Sequence, residues 1–144
     1  MVLEWNKRDR WEENDVFKVT TDRTHCIIGF VLEGYIHVPE MQSFVEELKT
    51  ATASLAGQEI KIKADVRAFK PASQDVADMI RAVQEFGLRS GVKRVAEIVE
   101  SEMVALQLNR VAKSSGTDKI LRRFWEDESA LDWLIHDDRP APAA

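Results

Sequence analysis

The stretch Ile60-Lys-Ile-Lys-Ala-Asp-Val-Arg-Ala68 decides the fold. Isoleucine, alanine and valine occupy every second position, and lysine, aspartate and arginine occupy the positions between them. Successive side chains of a strand point to opposite faces of the sheet, so a period of two is typical of a strand that is packed on one face only. The stretch therefore predicts a sheet with an apolar face and a polar face.

The sequence before this strand predicts a β-hairpin and a helix. Residues 16–21 and 24–33 are rich in β-branched and aromatic residues, with a tight turn predicted at Asp22-Arg23 between them. Pro39 suits the first turn of a helix, apolar residues follow it at helical spacing, and Gly57 is placed to end that helix. The second hairpin strand contains Cys26, which we expect to be core packing rather than a reactive thiol.

After the central strand, helices and strands alternate. A helix follows Pro71 and is predicted to end at Gly91, and residues 95–99 form the next strand. Ser101 and Gly116 bracket another helix, residues 119–125 form a last strand, and Asp127 is predicted to cap a short final helix. This order predicts an α/β fold, with a mainly parallel sheet of about five strands entered through an antiparallel hairpin. Because one strand face is charged, the helices are expected mostly on one face.

Length and composition indicate one domain over residues 1–144, with its core at about residues 16–135 and a disordered tail over residues 136–144. The net charge of −5 argues against nucleic acid as the main partner. A local basic segment, residues 110–123, is expected to be a solvated face, with docking of an acidic partner as the alternative. No apolar stretch approaches the ~20 residues of a membrane span, and no signal peptide is recognisable, so we expect a soluble, cytoplasmic protein.

The order of elements and a few short motifs resemble a known family. The motifs are Asp65-Val-Arg67 at the end of a strand, Lys93-Arg-Val-Ala-Glu-Ile98, and Phe124 followed by Ala130-Leu-Asp-Trp-Leu134. Over residues 16–135 the chain resembles the SpoIIAA-like family of bacterial proteins, mostly of unknown function, which are relatives of the anti-sigma-factor antagonist (STAS) domains. The resemblance implies a β-α superhelix with helices stacked on one face.

The same resemblance directs attention to Ser73. In the antagonist branch, a phosphorylatable serine opens the helix after the central strand, within an Asp-Ser-Ser-Gly motif. This chain reads Lys70-Pro-Ala-Ser-Gln-Asp75 there, so Ser73 lies near the switch position without the paired serine or the glycine. Possible phosphorylation of Ser73 is thus implied by the resemblance, and an ordinary exposed serine in a first helical turn is the alternative.

Motifs for catalysis or for cofactors are not recognisable in the sequence. The histidines at 25, 37 and 136 lack metal-ligand spacing, and no nucleotide-binding or serine-hydrolase motif is present, so we expect no metal, no cofactor and no enzymatic activity. Ligands of open α/β sheets bind beyond the carboxyl ends of the strands. The candidate ligand-binding residues there are Glu33, Tyr35, His37, Asp65, Arg67, Lys70, Ser73, Glu100 and Ser101.

Three functions remain open on the sequence. The first is a non-enzymatic interaction module, expected to form a homodimer or to bind a regulatory protein partner. The second is a carrier or sensor of a small apolar or lipid-like ligand, which requires a closed apolar cavity rather than a flat apolar patch. The third is an enzyme that uses the residues beyond the strand ends, which requires carboxyl groups of perturbed pKa gathered in a cleft.

Four tryptophans lie outside the predicted central elements, at positions 5, 11, 125 and 133. Large aromatic side chains need cover, which we expect mainly from the domain's own sheet. The strand over residues 24–33 is apolar on both sides, with Cys26, Ile28, Phe30 and Leu32 on one and Ile27 and Val31 on the other, so helices on one face leave the other apolar strip uncovered. Shielding of that strip is predicted to come from the segment that contains Trp5 and Trp11, from a second subunit in a two-fold dimer, or from both.

Overall fold

A computed structural model describes residues 16–136 of the chain. The elements in chain order are β1 (Phe17–Asp22), β2 (Ile27–Gly34), α1 (Val38–Ser54), β3 (Ile60–Phe69), α2 (Gln74–Arg89), β4 (Val92–Ile98), α3 (Glu102–Ser115), β5 (Leu121–Phe124) and α4 (Asp127–His136). A single 3-10 turn, Thr117–Lys119, connects α3 to β5. His136 is the last residue of α4, so the last helix extends one residue past the predicted core.

The five strands form one sheet whose spatial order follows the sequence order, β1-β2-β3-β4-β5. Strands β1 and β2 pair antiparallel, and each later strand pairs parallel with the one before it. A helix connects each consecutive pair of parallel strands, because a parallel pair requires a crossover. This arrangement confirms the predicted α/β superhelix with its antiparallel entry.

Two apolar clusters lie on opposite faces of the sheet. The larger cluster packs α1, α2 and α3 against one face, which we call the packed face, and contains the inward residues Ile60, Ile62, Ala64 and Val66 of β3. The smaller cluster packs α4 against the other face, and Trp133 is buried in it with 4% exposure. Three of the four described helices therefore share one face, as predicted.

The period of two in β3 ends at a bulge. Val31 pairs with Asp65 and Glu33 with Ala68, so β3 advances three residues where β2 advances two. The extra residue reverses the alternation, because each added residue of a strand turns the next side chain to the other face. Ala68, predicted to face the core, is exposed, and Phe69 is buried in its place.

The hairpin turn is longer than predicted, and two residues assigned to the second strand belong to it. The turn covers residues 23–26, and β2 begins at Ile27. Asp22 Oδ1 accepts hydrogen bonds from the backbone N–H groups of Thr24 and His25, which closes an aspartate-headed turn before strand pairing begins. Cys26 has φ +55° and is half-buried against the main core, so His25 and Cys26 are not strand neighbours on opposite faces.

Three predicted helix boundaries shift by one or two residues. The C-cap of α1 is Leu55 rather than Gly57, and that of α2 is Ser90 rather than Gly91. Both glycines follow closely with positive φ, which lets the chain turn back without strain. Asp127 is the first residue of α4 rather than its cap, and its carboxylate binds Lys63 Nζ at 2.6 Å.

The predicted shielding of the face opposite the three helices is partly wrong. Ile27 is buried by the α4 cluster, so neither an N-terminal segment nor a second subunit is needed to cover it. Val31 on the same face is half-buried. The predictions for Trp5, Trp11 and residues 137–144 fall outside the described residues.

The remaining tryptophans differ in their environment. Trp133 packs within the domain, as predicted, and its ring lies 5.7 Å from that of Phe124. Trp125 is 67% exposed, so intramolecular packing was the wrong expectation for it. Between residues 16 and 136, no helix is long and apolar enough to cross a membrane.

Candidate functional site

The predicted ligand-binding residues beyond the strand ends include three helix N-caps. Ser73 Oγ accepts a hydrogen bond from the Val76 N–H at 3.2 Å, and Ser101 Oγ accepts one from the Val104 N–H at 3.3 Å. His37 caps α1, where its backbone N–H donates to Glu40 Oε1 at 2.9 Å. These bonds satisfy backbone donors that the first helical turn leaves without partners, so all three residues have a structural role.

Asp65 and Arg67 form the one ion pair among the nine predicted residues. Arg67 Nη2 lies 2.7 Å from Asp65 Oδ2, and Arg67 Nε donates to Asp65 Oδ1 at 3.0 Å, which makes the pair bidentate. Burial tends to raise the pKa of Asp65, but hydrogen bonds from the Arg67 side chain and backbone hold it below its ordinary value. The Asp65 hydrogen bond raises the pKa of Arg67, with smaller contributions from the charges of Asp127 and Glu100.

The other predicted residues do not join this pair. Glu33, Tyr35 and Lys70 are exposed, and within residues 16–136 no side-chain hydrogen bond connects them to Asp65 or Arg67. The negative charge of Glu100 contributes to the raised pKa of Arg67. The residues beyond the strand ends therefore form separate capping, pairing and solvated groups.

A partly open cavity lies on the packed face, between the sheet and helices α1 to α3. Its volume is about 90 Å³. The strands contribute Phe30, Leu32, Ile62, Ala64, Val66, Val92, Val95, Glu97 and Leu121; the helices and the turn after them contribute Phe44, Leu48, Thr52, Ile80, Val83, Gln84, Phe86, Gly87, Leu88, Leu108, Thr117 and Ile120. Aliphatic and aromatic side chains thus make up most of the wall.

Glu97 is the one charged residue in the described wall of this cavity. It is the penultimate residue of β4, lies on the packed face beside Ala64 of β3, and is 4% exposed. Arg123 of β5 donates from Nε to Glu97 Oε1 at 2.8 Å and from Nη1 to Asn109 Oδ1 of α3 at 3.3 Å. Burial raises the pKa of Glu97, and the attraction of Arg123 offsets part of that rise.

The two carboxyl groups of β3 and β4 with shifted pKa lie on opposite faces of the sheet. Asp65 is on the face that α4 partly covers, whereas Glu97 is on the packed face. They are therefore not gathered in one cleft, which is the arrangement that the enzyme hypothesis requires. Within residues 16–136 there is also no group of three or more histidine, cysteine, aspartate or glutamate residues placed to hold a metal ion.

The basic segment at residues 110–123 is mostly solvated. Arg110, Lys113, Lys119 and Arg122 are exposed, as expected for a solvated face. Arg123 differs, because its guanidinium turns toward the packed face and pairs with Glu97. The segment therefore consists of four solvated basic residues and of Arg123, which has a structural role.

The sequence analysis did not identify Glu97, the polar centre of the cavity. A recognisable feature was present, because Glu97 is the one charged residue in the otherwise apolar stretch 95–99. Acidic residues are almost never buried unless they are paired. The register of β4 with β5 places Glu97 opposite Arg123, but that register is not visible in the sequence.

Comparison with known proteins identifies the fold. An uncharacterised DUF3478-family protein with a SpoIIAA-like fold, from Shewanella loihica PV-4, superposes with a TM-score of 0.64 at 20% sequence identity. The match covers 87% of this chain and 99% of that chain. No family model and no curated protein matches the sequence. At this identity the likeness shows the fold alone, and it confirms the SpoIIAA-like architecture.

Proposed function

We propose that this SpoIIAA-like chain is a non-enzymatic binding module that holds a small apolar ligand in the cavity between the sheet and helices α1 to α3. The observation that carries the proposal is the cavity itself. It is several times larger than the ~10–15 Å³ needed for one water, and its wall is mostly apolar. Apolar cavities of comparable size accept small apolar molecules.

Energetics favour occupation of such a cavity. Apolar side chains that face an unfilled space lack packing partners on that side, so the wall of the cavity forgoes van der Waals contacts. A ligand that fills the space restores the missing contacts and stabilises the fold by mass action. Catalysis has weaker support, because the carboxyl groups of Asp65 and Glu97 are separated by the sheet.

Ala64 offers a direct test. It is a buried residue in the middle of β3 and lines the cavity, so Ala64→Leu places three extra carbon atoms in that space. We expect n-pentane to shift the amide NMR signals of the cavity wall saturably in the wild type and not in Ala64→Leu. The matched control is Ala82→Leu on the exposed side of α2, which should leave binding unchanged. Absence of saturable shifts in the wild type would contradict the proposal.

A second candidate function is an interaction module that forms a homodimer. It is favoured by the large apolar side chains that remain exposed among residues 16–136, which are Tyr35, Met103, Leu106 and Trp125. Tyr35, Met103 and Trp125 follow closely after β2, β4 and β5, so they lie toward the same carboxyl edge of the parallel strands. Exposed aromatic and Met side chains at one edge are typical of a protein-binding surface.

Native mass spectrometry of freshly purified protein examines both functions in one spectrum. A dimer predicts twice the monomer mass of 16.4 kDa, and a retained ligand predicts a further fixed mass increment. Sedimentation velocity at micromolar concentration supplies an independent measurement of the assembly. A single monomeric species in both experiments would count against the interaction module and leave the ligand-binding proposal to the n-pentane titration.

A further inference from the structure

The polar groups of the cavity wall differ in how far their hydrogen-bonding capacity is used. Thr52 Oγ1 donates to the Leu48 carbonyl at 2.8 Å, so its hydroxyl donor is already used within helix α1. Ser115 Oγ lies 2.7 Å from Gln84 Oε1 and 2.9 Å from Thr117 Oγ1, which joins those two wall residues to each other. Glu97 is the remaining polar residue of the wall.

Glu97 retains unused acceptor capacity. A carboxylate has about four lone-pair positions, and in the part of the chain that the structure describes Glu97 accepts one hydrogen bond, from Arg123 Nε. Arg123 itself does not line the cavity. A molecule in the cavity therefore meets an acceptor from the ion pair, and not its donor.

The charges of Glu97 and Arg123 limit which ligand groups can bind to the free acceptor positions of Glu97. Glu97 and Arg123 together are neutral, so a ligand ammonium group would bring an uncompensated positive charge into an apolar space, which costs several kcal/mol or more. A ligand carboxylate would face the oxygen atoms of Glu97. A neutral group such as a hydroxyl can donate a hydrogen bond to Glu97 without adding charge. Hydrogen bonds to a charged acceptor are also stronger than those between two neutral groups.

We infer that the ligand of this cavity is a small apolar molecule with a single hydroxyl group, and that this hydroxyl donates a hydrogen bond to the carboxylate of Glu97. The inference rests on the proposed function, because it assigns the chemistry of the same cavity. It adds that the cavity has a polar end at β4 and an apolar body formed by the facing side chains of α1 and α2. Ligands are thereby oriented as well as held.

The first experiment compares four probes of equal chain length on the wild-type protein. Amide NMR titrations with n-pentanol, n-pentane, pentylammonium and pentanoate give the affinity of each. We expect n-pentanol to bind with its largest shifts near Glu97, and the two charged probes to bind at least about tenfold more weakly. Equal or tighter binding of either charged probe would overturn the assignment of a neutral donor.

The second experiment removes the ion pair as a unit. The double variant Glu97→Leu/Arg123→Leu deletes both charges, because removal of one partner alone leaves the other buried without its counter-ion. We expect its n-pentanol affinity to fall about tenfold while n-pentane binds within about twofold of the wild type. Glu97→Gln keeps an acceptor oxygen and loses only the charge; because Arg123 is partly exposed and can be solvated, this variant should fold and retain part of the n-pentanol binding.

The outcomes separate the inference from the proposed function. If n-pentanol and n-pentane bind the wild type and neither affinity changes in the double variant, the polar assignment is wrong and the apolar cavity remains a ligand site. If none of the probes binds the wild type, the proposed function fails, and the inference fails with it. Dispersed amide spectra of each variant establish that the comparison is made on folded protein.

Discussion

Arg123 Nε donates to Glu97 Oε1 at 2.8 Å from the adjacent strand and thereby neutralises a carboxylate in the wall of an apolar cavity. The two side chains differ in burial, since 5% of the Glu97 side-chain surface and 29% of the Arg123 side-chain surface are exposed. Arg123 Nη1 binds Asn109, whereas Nη2 is buried and has no partner in the described part of the chain. The pair thus compensates charge and leaves hydrogen-bonding capacity unused on both partners.

Removal of Arg123 should destabilise the fold. Arg123→Met leaves the Glu97 carboxylate buried without its counter-ion, and we expect a loss of about 2 kcal/mol, discounted from the ~3–5 kcal/mol typical of fully buried pairs because Arg123 is partly exposed. The measurement is urea denaturation at neutral pH. The matched control is Arg122→Met, whose guanidinium lies 5.2 Å from the Phe124 ring on the other face and should cost less than about 1 kcal/mol. Equal losses in the two variants would contradict a special role for Arg123.

The pH dependence of stability should report the burial of Glu97. Its pKa is raised above the ordinary 4.5 by burial, against the attraction of Arg123, so the folded state holds this proton more tightly than the unfolded chain does. The stabilisation from the protonated group is complete below about pH 4.5 and is lost as the pH rises through the folded pKa. We expect the unfolding free energy of the wild type, relative to Glu97→Gln, to decrease with rising pH. A difference that stays constant with pH would refute the shift.

The two described tryptophans should respond differently to truncation. Trp133 is buried between α4 and the sheet, with the Arg94 guanidinium 5.8 Å from its ring centroid, so Trp133→Ala should cost about 3 kcal/mol or more. Trp125 is exposed, and Trp125→Ala should change stability by no more than about 0.5 kcal/mol. Far-ultraviolet circular dichroism is the suitable probe, because both variants lose indole fluorescence. A large loss in Trp125→Ala, dependent on protein concentration, would instead locate Trp125 in a subunit interface.

Ser73 should behave as a helix cap. Ser73→Ala removes the acceptor for the Val76 N–H and is expected to cost about 1 kcal/mol, whereas aspartate keeps an acceptor and places a negative charge at a helix N-terminus. Ser73→Asp should therefore stay within about 0.5 kcal/mol of the wild type in urea denaturation. Ser101→Ala is the matched control, since it removes the equivalent cap of α3. If phosphorylation regulates this position, pull-down experiments with Ser73→Ala and Ser73→Asp should capture different partner proteins. We expect the two pull-down profiles to be identical, which would count against a phosphorylation switch at Ser73.

The fold was largely predictable because its determinants are local. The alternation in β3 identified the packed face, and Ser101 and Gly116 marked the ends of α3 as they stand in the structure. The errors have non-local causes. The bulge that turns Phe69 inward depends on the register with β2, and the placement of α4 over Ile27 depends on the tertiary fold.

The candidate site was less predictable than the fold. Residues beyond the strand ends were selected because ligands commonly bind there, yet the structure uses His37, Ser73 and Ser101 as caps. The cavity is formed by residues from all three helices of the packed face, and its charge centre depends on the pairing of β4 with β5. Hydrophobic patterns show which side chains point inward, but they do not show where the packing leaves space.

The strand order has a consequence for how the chain acquires its structure. Each strand pairs with its neighbour in sequence, so no late strand has to insert between two that are already paired. Loop closures stay short, and short closures favour rapid folding. We expect the sheet to assemble from the hairpin outward in the order of synthesis, with α4 docking last. Pulsed hydrogen exchange would then protect the amides of β2 and β3 before those of β5, and the reverse order would exclude such directional assembly.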